Sequence, residues 1–169
     1  MAKAMTILGV DPGSKVTGVG VVRLSGSDVS HVYCESVKLA DADLSLRMRQ
    51  IYARLSLIIE KTTPDVVAIE RVFLAKNPQS ALVLGHARGA AMLAAVHHHL
   101  PISEYSATEI KKTVVGRGRA DKQQVQHMMR VLLGLSIAPE SDAAAALAAA
   151  VCHAHHVQTQ SNFNAKVAP

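Results

Sequence analysis

Two short apolar runs constrain this 169-residue chain more than anything else in it: residues 6–10 (TILGV) and residues 66–69 (VVAI). Each stops at a carboxylate, Asp11 and Glu70. Runs of this length without a polar face, bounded by turn chemistry, read as strands buried inside a sheet. The first is followed by Asp11-Pro12-Gly13-Ser14 and a second strand through Val22. Taken alone, Asp11 is a turn residue bonding its own backbone. Between the two runs, Leu44, Met48, Ile51, Leu55, Ile58 and Ile59 recur at helical spacing until Thr62-Thr63-Pro64 stops them. A strand, a helix and a buried strand make a right-handed crossover, so the second run is expected parallel to the first. Asp11 and Glu70 then stand at the carboxyl ends of strands about 5 Å apart. That edge is where open α/β sheets place ligands. Two carboxylates so close repel unless a cation or a shared proton relieves them.

The remaining segments fill in one α/β domain over residues 1–157, with 158–169 expected as a disordered polar tail. Residues 29–39 alternate loosely and predict a third strand, antiparallel to the second, with Asp41 and Asp43 offering N-caps to the helix that follows. Residues 71–77 (RVFLAKN) form a loop carrying Phe73. Phe73 can tuck into the core or act as a stacking wedge against distorted bases. Pro78 opens a helix to about His98 in which Gly85 and Gly89 lie four apart among alanines. Glycines cost helix stability, so this face is expected to admit another helix closely, from the same core or from a second subunit. His97, His98 and His99 point in different directions on a helix and read as an exposed terminal turn. Residues 101–105 predict a fifth strand. Val125, Met128, Met129, Leu132 and Leu133 carry a further helix that Gly134 ends. Pro139 is placed like the first residue of the last helix, with Glu140, Ser141 and Asp142 in its first turn, where free N–H groups favour an ionised carboxylate. His153, His155 and His156 read as surface residues.

Charge is local. Lys111, Lys112, Arg117, Arg119 and Lys122, set against Asp121, concentrate +4 of the chain's formal +5 in residues 111–122. Gly116 and Gly118 let that backbone approach a surface, so the stretch predicts a loop that follows phosphates. Asp121 and Gln124 form a capping box, which leaves Lys122 in a first helical turn that a bound phosphate would make comfortable. Aromatics are only 3% and Trp is absent, so the core is built from Ala, Val, Leu, Ile and Met. Two cysteines make neither a disulfide framework nor a zinc set, which suits a reducing cytoplasm. The N-terminus has no long apolar segment, and the longest apolar run, 81–96, is broken by His86 and Arg88. A soluble protein without membrane attachment is expected.

Taken together and in order, ILGVDPGSKVTGVGVV, AIERVF, KKTVVGRG and SDAAAALA resemble the RuvC-type Holliday junction resolvases, over nearly the whole chain except its tail. The resemblance implies a ribonuclease H-like fold, α/β, with a five-stranded mixed sheet flanked by helices on both faces. It implies a bacterial cytoplasmic homodimer that binds four-way DNA junctions and makes paired symmetric nicks in recombination and repair. Mg²⁺ is the implied cofactor, two ions per site, with Mn²⁺ able to substitute, and a branch-migration helicase complex is the implied partner. By the same resemblance Asp11, Glu70 and Asp142 are metal-binding catalytic carboxylates. Phe73 matches a junction-stacking aromatic, and Lys111 and Lys122 match DNA-contacting lysines. Carboxylate oxygens suit Mg²⁺, and two such ions hydrolyse phosphodiesters without a protein nucleophile.

One position departs from the pattern. The last helix of the family offers two acidic residues three apart, and here Asp142 is followed by Ala145. Glu140 lies five positions from 145 and cannot serve from the same face. The site is one carboxylate short, so junction binding is expected to survive while cleavage falls. A junction-binding module without nuclease activity is the alternative reading. The strand–turn–strand opening also occurs in sugar-kinase and actin-like ATPases, but 169 residues leave no room for their second lobe.

Overall fold

The computed structural model describes residues 4–40, 43–71 and 77–167. A five-stranded mixed sheet in the order β3-β2-β1-β4-β5 divides the molecule. β1 (Met5–Asp11), β2 (Val16–Ser25) and β3 (Asp28–Lys38) form an antiparallel meander. β4 (Val66–Arg71) and β5 (Ile102–Ser106) extend the sheet parallel to β1. The helices are α1 (Leu44–Thr62), α2 (Pro78–His97), α3 (Ala107–Val115), α4 (Lys122–Leu132) and α5 (Ser141–Val167). Their ends follow local chemistry. Asp43 caps α1, Asn77 and Pro78 open α2, and the expected Asp121–Gln124 capping box starts α4.

Strand alternation sorts the core into two layers. Leu8, Val10, Val19, Val21, Val67 and Ile69 pack against α1 and α2. Ile7, Val22, Val66 and Ala68 face α3, α4 and α5. The abundance of alanine in the core has its reason in the second layer. Gly9, Gly18 and Gly20 leave the sheet smooth where α5 crosses it. A Cβ on Gly9 would run into the Ala146 carbonyl oxygen, and one on Gly18 into the Asp142 carbonyl oxygen. A Cβ on Gly20 would lie 2.6 Å from the Leu147 amide nitrogen. The helix therefore sits backbone-close on the strands, and Ala143, Ala144, Ala146, Ala148, Ala149 and Ala150 are all buried.

Several expectations change. Lys111 and Lys112 are not in a loop but on α3, which Ser106 and Glu109 start with a capping box; only residues 116–121 connect it to α4. Pro139 precedes α5 rather than opening it: the helix begins at Ser141, and the Glu140 carbonyl accepts its first N–H, from Ala144 at 2.8 Å. His153 is buried, its Nδ1 paired with the Tyr105 hydroxyl at 2.8 Å, while His155 and His156 are exposed as expected. Beyond Val157 the chain continues as helix through Val167, where the sequence predicts a disordered tail. Gln158 Nε2 donates to the Ser27 carbonyl at 2.8 Å. Polar composition suits an exposed helix as well as disorder. Asp41 and Phe73 lie outside the described residues.

Candidate active site

β1 and β4 are paired in parallel as far as Val10 and Ile69. Asp11 and Glu70 follow one step later, on neighbouring strands. Gly9 and Ala68, two residues earlier on each strand, face the α5 layer, so both carboxylates leave the sheet on that side. The first turn of α5 brings Asp142 to the same place. Two contacts fix that turn: the close approach of Gly18 to Asp142, and the Ala143 N–H donating to Ser36 Oγ at 3.3 Å. The three carboxylates line one open cleft together with Lys111 and Lys122. Ala107, Val125, Ser141 and Ala145 complete its walls.

The electrostatics follow from crowding. The Asp11 carboxyl is pushed up to about 7, first by burial, then by repulsion from Glu70 and Asp142, with Lys122 pulling the other way. Burial also raises Glu70, against the pull of Lys111 and Lys122. At both carboxyls burial outweighs the pull of the lysines. Among the described residues no three His, Cys, Asp or Glu side chains converge tightly enough to enclose an ion. Mutual repulsion keeps like charges from closing up by themselves. The donor chemistry nonetheless fits a hard divalent cation: every acidic group is an oxygen donor, no soft ligand lines the cleft, and the excess negative charge is what a cation would relieve.

The cleft thus collects five of the residues named from the sequence: Asp11, Glu70, Asp142, Lys111 and Lys122. Lys112, Arg117 and Arg119 are exposed and do not line it. Ala145, the position that departs from the expected pattern, lines it too. Sequence reasoning overlooks Ser36, because a serine on an edge strand gives no local sign that it caps a helix 107 residues away.

A five-stranded mixed sheet of this order with helices on both faces is a ribonuclease H-like arrangement. The family model described as crossover junction endodeoxyribonuclease RuvC matches residues 7–153. The crossover junction endodeoxyribonuclease RuvC of Tolumonas auensis is 50% identical over 161 residues, covering 95% of this chain and 93% of its own. That of Shewanella sp. strain MR-4 is 54% identical over 153 residues, covering 90% and 88%. Among solved structures, Thermus thermophilus RuvC in complex with Holliday junction substrate superposes with a TM-score of 0.86 at 32% identity, covering 93% and 97%. The yeast mitochondrial resolvase Ydc2 shares the fold, with a TM-score of 0.64 at 12% identity. The chain belongs to the RuvC family of crossover junction endodeoxyribonucleases. Membership carries with it the use of a divalent metal.

Proposed function

We propose that this chain recognises four-way DNA junctions as a homodimer, and that its own cleft cuts them poorly because position 145 is alanine. The observation that carries the reading is the cleft itself. Asp11, Glu70 and Asp142 meet there beside two lysines, with Ala145 in the wall where a fourth carboxylate would complete the set. Mg²⁺ is the cofactor this set suits, with Mn²⁺ as substitute, and two ions per site are expected of the complete set. Asp11, Glu70 and Asp142 would hold them. When bound, they supply water activation and neutralisation of charge on the phosphodiester.

The chain's own groups do the rest. Lys111 and Lys122 stand at the cleft mouth and hold the phosphate on either side of the scissile bond. The Asp11 carboxyl, pushed up to about 7 by burial and its acidic neighbours, would give up its proton where a cation is held. Lys112, Arg117 and Arg119 flank the cleft from the α3–α4 corner and attract the DNA backbone at longer range. Phe73 is the proposed stacking wedge at the crossover. The dimer is supported by α2. Leu82, Leu93 and Val96 are 60%, 59% and 58% exposed on the side that carries Gly85 and Gly89, and a Cβ on either glycine would meet nothing within 4 Å. Such an apolar, glycine-notched face suits a second copy. No described helix is long and apolar enough to cross a membrane. A cytoplasmic location and a helicase partner are the corresponding readings for the cell.

Binding tests the proposal. A fluorescent four-way junction and a linear duplex of the same sequence are titrated with the chain in Ca²⁺, which permits binding without turnover. Tighter binding to the junction is expected; equal affinity for both would remove structure-specific recognition. Phe73→Ala is expected to reduce the signal of a fluorescent base analogue placed at the crossover while leaving the melting temperature unchanged.

A further inference from the structure

The cleft that holds Asp11, Glu70 and Asp142 borders α4. Its walls are α4, through Lys122 and Val125, and the start of α5, through Ser141 and Asp142. A second groove lies between the next residues on both walls: Gln123, Gln126, His127 and Arg130 on α4, and Ser136 to Ala138 on the segment leading to α5. Gln126 Nε2 donates to the Pro139 carbonyl at 3.0 Å, which ties α4 to the segment leading into α5. At 100° per residue, positions 123, 126, 127 and 130 share one stripe of the helix, and that stripe is turned away from the buried Val125 and Met129. No carboxylate lines the groove. Among the described residues none pairs with Arg130, whereas Arg54, Arg71 and Arg88 all have acidic partners.

We infer that this groove holds the DNA backbone beyond the scissile phosphate, with Arg130 as its principal phosphate ligand and His127 beside it. The inference rests on the reading of the cleft as a junction nuclease site. Three features of the molecule favour a nucleic acid strand as the occupant. The groove lies on the face of α4 next to the one that lines the carboxylate cleft. Its polar groups are a cation, an imidazole, amides and a hydroxyl, which suit phosphate and sugar oxygens and carry no sequence information. Its length also matches: Arg130 stands about 12 Å along α4 from Lys122, the axial rise of three to four nucleotides of one strand. The groove would therefore engage the arm leading away from the cut and hold it in register, which makes Arg130 a positioning residue rather than a catalytic one.

The test is the salt dependence of binding. Anisotropy titrations of a four-way junction and of a linear duplex, each over a range of KCl, are run with the unaltered chain, Arg130→Gln, Arg130→Lys and Arg23→Gln. Arg23 is exposed on β2, away from the groove, and serves as the control. Arg130→Gln is expected to weaken binding about three- to ten-fold and to lower the slope of log affinity against log salt by about 2, one lost phosphate contact in each subunit of the dimer. Arg130→Lys should keep most of the slope, and Arg23→Gln all of it. An unchanged slope and affinity in Arg130→Gln, in a protein whose melting curve is unchanged, overturns the groove. Equal affinity of the unaltered chain for junction and duplex would instead overturn junction recognition, while the slopes on duplex would still judge Arg130. Loss of binding in Arg130→Gln accompanied by a lowered melting temperature, and not restored in Arg130→Lys, would mean a structural role and also overturns it.

Discussion

Asp11 ends a buried strand where the ionised form is disfavoured by its surroundings, and stability should record this. Its folded value of about 7 lies above the ordinary 3.8 of the unfolded chain. Ionisation therefore costs folding free energy, nothing below pH 4 and progressively more as pH rises from about 4 to about 7. In metal-free buffer Asp11→Asn should melt higher than the unaltered chain at pH 8, by the equivalent of a few kcal/mol at about 1.4 kcal/mol per pKa unit, and the gap should close near pH 4. Thermal melts across that range decide it. Saturating Mg²⁺ should raise the melting temperature of the unaltered chain more than that of Asp11→Asn, because the variant lacks a ligand. Asp11, Glu70 and Asp142 were legible in the sequence because each sits at an element end with recognisable chemistry. His153 was not. Its partner Tyr105 lies 48 residues away on β5, and no local pattern announces a bond between them.

The element that decides the site is α5, and its seat is made of glycine. The Asp142 carbonyl fills the space where a side chain on Gly18 would be, so Gly18→Ala must push the first turn of the helix off the sheet. A loss of roughly 2–4 kcal/mol is expected, at or above the usual range for overpacking because the obstacle is backbone rather than a side chain. Chemical denaturation measures it, and weaker Mn²⁺ binding should accompany it as Asp142 moves. Other elements were read well where the signal was local and poorly where it was not. The strands around Asp11 and Glu70 announce themselves by buried runs. In α3 the basic residues and glycines of 111–122 mask a helix whose local sign is Ser106 and Glu109, three apart in capping-box spacing. In β3 the alternation is only loose in the sequence, and the structure gives the reason: Val21 pairs with Tyr33 and Val22 with His31, so Val32 is bulged out and the strand's faces exchange. Val29 accordingly packs on the α5 layer and Tyr33 on the α1 layer. A bulge depends on the partner strand and leaves no pattern in its own.

At the scale of the molecule, the proposed reading gives one face to DNA and another to a second copy. Leu82, Leu93 and Val96 on α2 stay exposed among the described residues. Leu93→Glu should convert a dimer to a monomer by light scattering and weaken junction binding more than duplex binding, since only a dimer spans both continuous strands of a junction. Sequence alone left that face open between core and partner, because alanine and glycine spacing looks the same for either. The central claim concerns the cleft and its alanine, and paired nicking reactions test it most directly. The unaltered chain and Ala145→Asp are compared on a labelled four-way junction with Mg²⁺ and with Mn²⁺. Weak cleavage by the unaltered chain is expected, with paired symmetric nicks at least about 100-fold faster in Ala145→Asp, since even outer partners of a metal ligand are worth 10–100-fold. Equal, vigorous cleavage by both would show that Asp11, Glu70 and Asp142 suffice, and would contradict the account.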